Sequence, residues 1–153
     1  KIEDAYLPSL FIRVGDCFVV KIVFSLSMSP TFIVAHSIAE KDRFPFDQSD
    51  LRVFKILTVY FSRALPDFLQ RYRRDGMYEF ILWLRCYTNL FTAKCQKCGK
   101  RIQRDLTGDF LPPIVRTISG CDSYHIKCSP FELELPDFGY ITMQPDDRHK
   151  QAV

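Results

Sequence analysis

Four residues in two pairs carry the chemistry open to this chain. They are Cys95 and Cys98 in Cys95-Gln96-Lys97-Cys98-Gly99-Lys100, and His125 and Cys128 in His125-Ile126-Lys127-Cys128. Three thiols and an imidazole, in pairs with two residues inside each and 26 residues between the pairs, have the donor set and spacing of a four-coordinate zinc site. In a Cys-x-x-Cys-Gly turn the sulfurs converge on one side and backbone amides aim at them. A glycine in the place of Gly99 accepts the left-handed backbone such a turn needs. A helix over residues 121–128 would put His125 and Cys128 on one face. It would also put Cys121 there, a fifth candidate for four positions; spacing favours His125 and Cys128 and leaves Cys121 as a bystander. A zinc ion closed by four protein ligands has no position for water, so its expected role is structural, and in small zinc modules binding contributes ~10–16 kcal/mol to folding.

The same residues admit other chemistry. A redox dithiol of the thioredoxin kind opens a helix after a strand, where the helix dipole lowers the thiol pKa. Cys95 and Cys98 instead follow an expected helix and run into Gly99. The cations Lys94, Lys97, Lys100, Arg101 and Arg104 crowd the turn, and Arg71, Arg73 and Arg74 crowd the preceding helix end. The alternative function is therefore a zinc module that holds nucleic acid by its basic rim around residues 94–104. Against it, no aromatic residue lies within 94–104 to stack on bases, and a solvated rim at a helix carboxy end accounts for the same charges. Hydrolytic chemistry has no carriers: His36 falls in an expected strand and His149 in the tail, and there is no Gly-x-Ser-x-Gly or phosphate-cradling loop. The chain is expected not to be an enzyme. Cys17 and Cys86 are expected to be small core residues.

The elements that must position the two pairs come before them. At 153 residues with 47% hydrophobic content, the chain can bury one good core, which sets a single domain as the expectation. That core also argues against a disulfide framework for the six cysteines, since such frameworks serve small secreted chains that lack one. Four cysteines clustered around a histidine favour metal and a reducing compartment. A net charge of +3 is too weak for wholesale polyanion binding. No apolar run reaches the ~18 residues that span a bilayer, and the amino end lacks a signal segment. The chain opens at Lys1 rather than Met and is read as a soluble carboxy-terminal piece of a longer protein.

Leu10–Val14, the turn Gly15-Asp16, Cys17–Ser27 and Thr31–Ile38 read as a three-stranded antiparallel meander. In the middle strand Val20, Ile22, Phe24 and Leu26 make a dry face, and Lys21, Ser25 and Ser27 a wetter one. Ser49 or Asp50 caps a helix whose stripe is Leu51, Phe54, Leu57, Phe61, Ala64 and Leu65, expected to stop or kink near Pro66. A second long helix is expected over Met77–Phe91, with its face at Met77, Phe80, Ile81, Leu84, Tyr87 and Phe91. It is apolar nearly all round and therefore buried or covered by a partner. Arg101–Gly120 reads as irregular, tied at its ends by zinc, and Phe131–Leu135 alternates like an edge strand. The fold class is α+β: a three-stranded antiparallel meander covered by two long helices, followed by a zinc-closed loop module. One domain spans 1–153, with strands in 10–38, helices in 49–91, the zinc module in 94–128 and a carboxy-terminal extension in 129–153.

Several segments together resemble a known family. The run Phe80-Ile81-Leu82-Trp83-Leu84-Arg85-Cys86-Tyr87-Thr88-Asn89-Leu90-Phe91, then Cys95-Gln96-Lys97-Cys98-Gly99-Lys100, Leu111-Pro112-Pro113 and Tyr124-His125-Ile126-Lys127-Cys128, is similar to the carboxy-terminal region of Mediator complex subunit 27. The resemblance covers roughly residues 50–128. It implies a non-catalytic, nuclear subunit of the coactivator that connects gene-specific activators to RNA polymerase II, placed among other Mediator subunits near the junction of tail and head. It also implies metal ligation by Cys95, Cys98, His125 and Cys128, with zinc as the structural cofactor and no cysteine in the family pattern at the position of Cys121.

Overall fold

The computed structural model describes residues 7–104 and 108–130; the alternating run Phe131–Leu135 and the tail with His149 lie outside the described residues. The meander forms as expected. β1 (Ser9–Val14), β2 (Phe18–Phe24) and β3 (Pro30–Ser37) pair antiparallel in the order β1-β2-β3, with Val14 opposite Phe18 and Val20 opposite Ala35. Gly15, at φ +53°, makes the first turn.

One face of the sheet presents Val14, Phe18, Val20, Ile22, Ile33 and Ala35 to the core. The other face is not wet. Val19, Lys21, Val23, Val34 and His36 are buried as well, because the loop between β3 and the first helix folds over it. Lys21 donates its ammonium to the Arg43 carbonyl, a His36 ring nitrogen meets the Asp47 carbonyl at 2.5 Å, and the Phe46 ring packs 5.3 Å from that of Phe32. Leu26, assigned above to the dry face, lies beyond β2 in the turn and is 87% exposed.

The long helix α1 (Arg52–Tyr72) buries Phe54, Leu57, Phe61, Ala64 and Leu65 of the expected stripe, while Leu51 precedes the helix and is half exposed. Ser49 serves its start indirectly, its hydroxyl accepting the Leu51 amide at 3.0 Å. The helix does not stop at Pro66. That residue lies on the exposed side, where one lost amide donor costs least, and the burial of Leu65 and Phe68 on either side holds the helix through it.

The second helix is a correction: α2 is short, Gly76–Leu84, and gives way to a 3₁₀ turn over Arg85–Tyr87 and further turns to residue 92. Leu84, Tyr87 and Leu90 stay buried through the change of winding. The Thr88 hydroxyl, bonded to the Arg85 carbonyl at 3.0 Å, reinforces the 3₁₀ turn. Phe91 turns outward, 48% exposed. The two helices meet at backbone contact: a Cβ at Gly76 would lie 2.6 Å from Leu69 Cα and 2.7 Å from the Phe68 carbonyl oxygen. Beneath them Phe61 is fully buried among the rings of Phe18, Phe80, Trp83 and Tyr87, with centroids 5.1 to 6.2 Å away.

The segment expected to be irregular carries paired strands among its described residues. β4 (Gln103–Arg104) pairs with β5 (Phe110–Leu111), and β6 (Val115–Arg116) pairs with β7 (Ser123–Tyr124), both antiparallel. Between the two hairpins Leu111 to Thr117 are buried, so the Leu-Pro-Pro segment is a core strap rather than a surface loop.

Candidate metal centre

The first pair sits on a tight turn. Cys95 donates its amide to the Lys100 carbonyl at 2.9 Å, and Gly99 donates to the Cys95 carbonyl at 2.8 Å with φ +72°. The second pair is not helical over 121–128 as expected. Ser123-Tyr124 is strand β7, His125 is extended, and Ile126–Cys128 is a 3₁₀ turn closed by the Cys128 amide on the His125 carbonyl at 2.9 Å. A one-turn 3₁₀ geometry still returns positions three apart to the same side, so His125 and Cys128 face one point.

Two hydrogen bonds lock the pairs together. The Gln96 amide donates to the Ser123 carbonyl at 2.8 Å, and the Ser123 hydroxyl donates to the Lys94 carbonyl at 2.6 Å. As a result one donor atom from each of Cys95, Cys98, His125 and Cys128 lies within 4.8 Å of every other, and Cys98 Sγ is 3.3 Å from His125 Nδ1. Sulfur ligands on a tetrahedral zinc with ~2.3 Å bonds stand about 3.8 Å apart, so the cluster has the scale of such a site. Cys95, His125 and Cys128 are buried and Cys98 is half-buried.

The electrostatics suit a cation. Burial opposes a thiolate at Cys95, yet the amides of Cys98, His125 and Lys97 aimed at its sulfur, with the Cys98 thiol, bring its pKa below the ordinary thiol value. Burial, together with the neighbouring Cys95 and Cys98 thiols, pushes Cys128 up to about 11. Three sulfurs this close repel as thiolates, and a divalent cation removes that repulsion. Burial also holds His125 below its ordinary value, which keeps the neutral imidazole that can ligate. The residues therefore fit a four-coordinate N/S metal. No helix begins at Cys95, so the setting that activates a redox dithiol is not built here.

Cys121 is not part of the cluster. It is bonded to Cys86, with Cα atoms 5.1 Å apart, in a turn where Cys121 itself has φ +53°. Cys86 is therefore a cross-link between the 3₁₀ turn after α2 and the β6–β7 loop, not a plain core thiol. The expected exclusion of disulfides fails at this pair. Cys17 is a free, half-buried thiol that donates to the Thr88 carbonyl at 2.9 Å. Of the histidines set aside above, His36 is fully buried in β3 on the Asp47 carbonyl.

Sequence reading also missed Arg116, which is fully buried beneath the module. Its guanidinium donates to the carbonyls of Cys86 at 3.1 Å, of Pro113, and of Val115 at 3.4 Å, and lies 5.2 Å from the Tyr87 ring centroid. It thus joins the end of the α2 segment to the strap that leads to the second candidate pair.

The family model for Mediator complex subunit 27 matches residues 44–129, a stretch that starts before α1 and contains all four converging residues. The chain belongs to the Mediator complex subunit 27 family. Among curated proteins it is 34% identical over 84 residues to Mediator of RNA polymerase II transcription subunit 27-B of Xenopus laevis, an alignment covering 54% of this chain and 25% of that protein. It is 29% identical over 87 residues to subunit 27 of Arabidopsis thaliana, covering 50% of this chain and 22% of that one. Subunit 27 of Danio rerio gives 30% over 84 residues, with 54% and 25% covered. The chain thus spans about a quarter of the length of the curated relatives it matches.

Proposed function

We propose that this chain is a non-catalytic interaction module of a nuclear Mediator subunit, shaped by one structural zinc ion on Cys95, Cys98, His125 and Cys128. The observation that carries the zinc is the convergence of three thiols and an imidazole, drawn from segments 26 residues apart, with every donor atom within 4.8 Å of the others. All four positions fall inside the family match. With four protein donors the metal has no open position, so its contribution is to hold the strap and the two hairpins against the helices.

The work is then done by surface. Membership supports docking on other Mediator subunits, at the junction of tail and head on our reading, and through them a link between activators and RNA polymerase II. The sheet, both helical segments and the metal module act in this reading as one domain.

Native mass spectrometry of the purified chain is expected to give one zinc per chain. Stoichiometric chelation is expected to abolish cooperative unfolding, and Cys128→Ser to reproduce that loss. A chain that keeps its melting transition unchanged after complete metal removal would overturn the structural zinc. Co-purification of the chain with other Mediator subunits tests the docking role separately, and failure to recover any of them would remove it.

A further inference from the structure

The metal module leaves one part of its surface unsatisfied in two ways at once. Lys94, Lys97, Lys100, Arg101 and Arg104 are all exposed, and among the described residues none of them is in an ion pair. No Asp or Glu occurs within 94–104. Beside them stand large apolar side chains open to water: Ile102 at 55%, Phe110 at 65% and Phe91 at 48% exposure. Single exposed apolar residues are ordinary, but three of them bordered by five unneutralised cations are not.

The fold brings these groups to one end of the molecule. The β4–β5 pairing sets Arg104 opposite Phe110, with the guanidinium 4.9 Å from the ring centroid. Asp109 bonds Arg52 at 2.9 Å, which fixes the hairpin to the start of α1. There Phe54 meets the Phe91 ring edge-on at 6.3 Å. The sequence interval 94–104 lacks an aromatic residue; the hairpin supplies one from outside it.

The chemistry selects among partners. Single-stranded nucleic acid needs cations together with open ring faces for its bases. Here Arg104 covers one face of Phe110, Ile102 has no π face, and the whole chain carries only +3. A polypeptide segment with carboxylates interspersed among aliphatic or aromatic residues answers both unsatisfied features: its charges complement the lysines and arginines, and its apolar side chains cover Ile102, Phe110 and Phe91. We propose that this end of the metal module is a docking surface for an acidic, apolar-studded polypeptide segment of a partner protein. The inference stands on the hairpin and the basic turn and does not require that the chain assemble into Mediator.

The test uses the whole chain and a fluorescein-labelled peptide of alternating glutamate with leucine or phenylalanine, read by anisotropy. Saturable binding is expected. It should weaken about tenfold or more in the triple variant Lys97→Glu, Lys100→Glu, Arg101→Glu, and severalfold in Phe110→Ser, which lies away from the ligand turn and keeps the test alive if the triple variant unfolds. A peptide with serine in place of leucine and phenylalanine should bind more weakly. Salt should reduce affinity without abolishing it, because the apolar contacts are not screened. Equal or tighter binding of an oligothymidine strand would overturn the proposal in favour of nucleic acid. Concentration-dependent dimerisation lost in Phe110→Ser would overturn it in favour of a second copy, and no binding by either probe would leave only a solvated rim.

Discussion

Glu40→Gln isolates one part-buried carboxylate that organises the cover over the outer face of the sheet. Glu40 Oε2 accepts the Ser37 amide at 2.9 Å, the Ser37 hydroxyl at 3.0 Å and the Ser49 hydroxyl at 2.6 Å, while Oε1 accepts the Asp50 amide at 2.8 Å. These four bonds tie the end of β3 to the residues just before α1. Burial by itself would raise the Glu40 pKa; the Ser49 hydroxyl, the Asp50 and Ser37 amides and the Ser37 hydroxyl more than offset it and bring the group from 4.5 down to about 2. At about 1.36 kcal/mol per pH unit that difference is worth about 3 kcal/mol, and a side chain only 10% exposed loses little of it to solvent screening.

The sign follows from a depressed folded-state pKa. The stabilisation is fully present above the unfolded value of 4.5 and is lost as pH falls through about 2. Glutamine keeps one acceptor oxygen but turns an NH₂ group toward donors, so the variant is expected to lose about 2–3 kcal/mol at neutral pH. Urea unfolding of both proteins at several pH values checks this, because comparing the two at each pH cancels the separate acid sensitivity of the Cys/His cluster. The gap should be constant above pH 4.5 and close progressively below it. A gap under about 0.5 kcal/mol at neutral pH, or one that does not change with acid, would refute the reasoning.

Two further substitutions probe how the scaffold holds the metal module. Gly76→Ala forces a Cβ within 2.6 Å of Leu69 Cα and 2.7 Å of the Phe68 carbonyl, both backbone atoms that cannot swing aside, so despite alanine's better helix propensity the variant should lose about 1–3 kcal/mol by thermal unfolding. Unchanged or raised stability would show that α1 and α2 do not meet at backbone contact. Arg116→Lys keeps the charge but not the planar fork that serves the carbonyls of Cys86, Pro113 and Val115, and should cost about 2 kcal/mol or more in denaturant. A neutral result would mean that the three carbonyls do not depend on the guanidinium.

The helical stripe of α1 and the alternation in the first strands were legible because periodicity reports burial directly: Phe54, Leu57 and Phe61 recur at helical steps, and Val20 and Ile22 alternate along one face. Where a second layer interfered, the pattern misled. Lys21 read as part of the wetter face of its strand, yet the loop over 38–50 supplies carbonyls that let both Lys21 and its neighbour across the sheet face, His36, be buried. The second helix failed for a related reason: an apolar run such as Phe80–Phe91 is compatible with either α or 3₁₀ winding, and its local pattern does not mark where one gives way to the other. The two small strand pairs within 103–124 were invisible because strands of two residues have no period to detect.

By itself the sequence pointed to a candidate donor set. Cysteine and histidine types at that pair spacing, a glycine after the first pair, and the segments between Phe80 and Cys128 were enough to name four candidates and the family. Only the tertiary structure decided which cysteines were left over and what they do, because the Cys86–Cys121 link and the convergence of the two pairs depend on contacts across long stretches of chain. Ser123 reaching Lys94, and Arg116 buried against Cys86, Pro113 and Val115, set that distance, and neither leaves a periodic trace in the amino-acid order. Local spacing can single out candidate donor atoms; it takes the packed core to bring those atoms to one point.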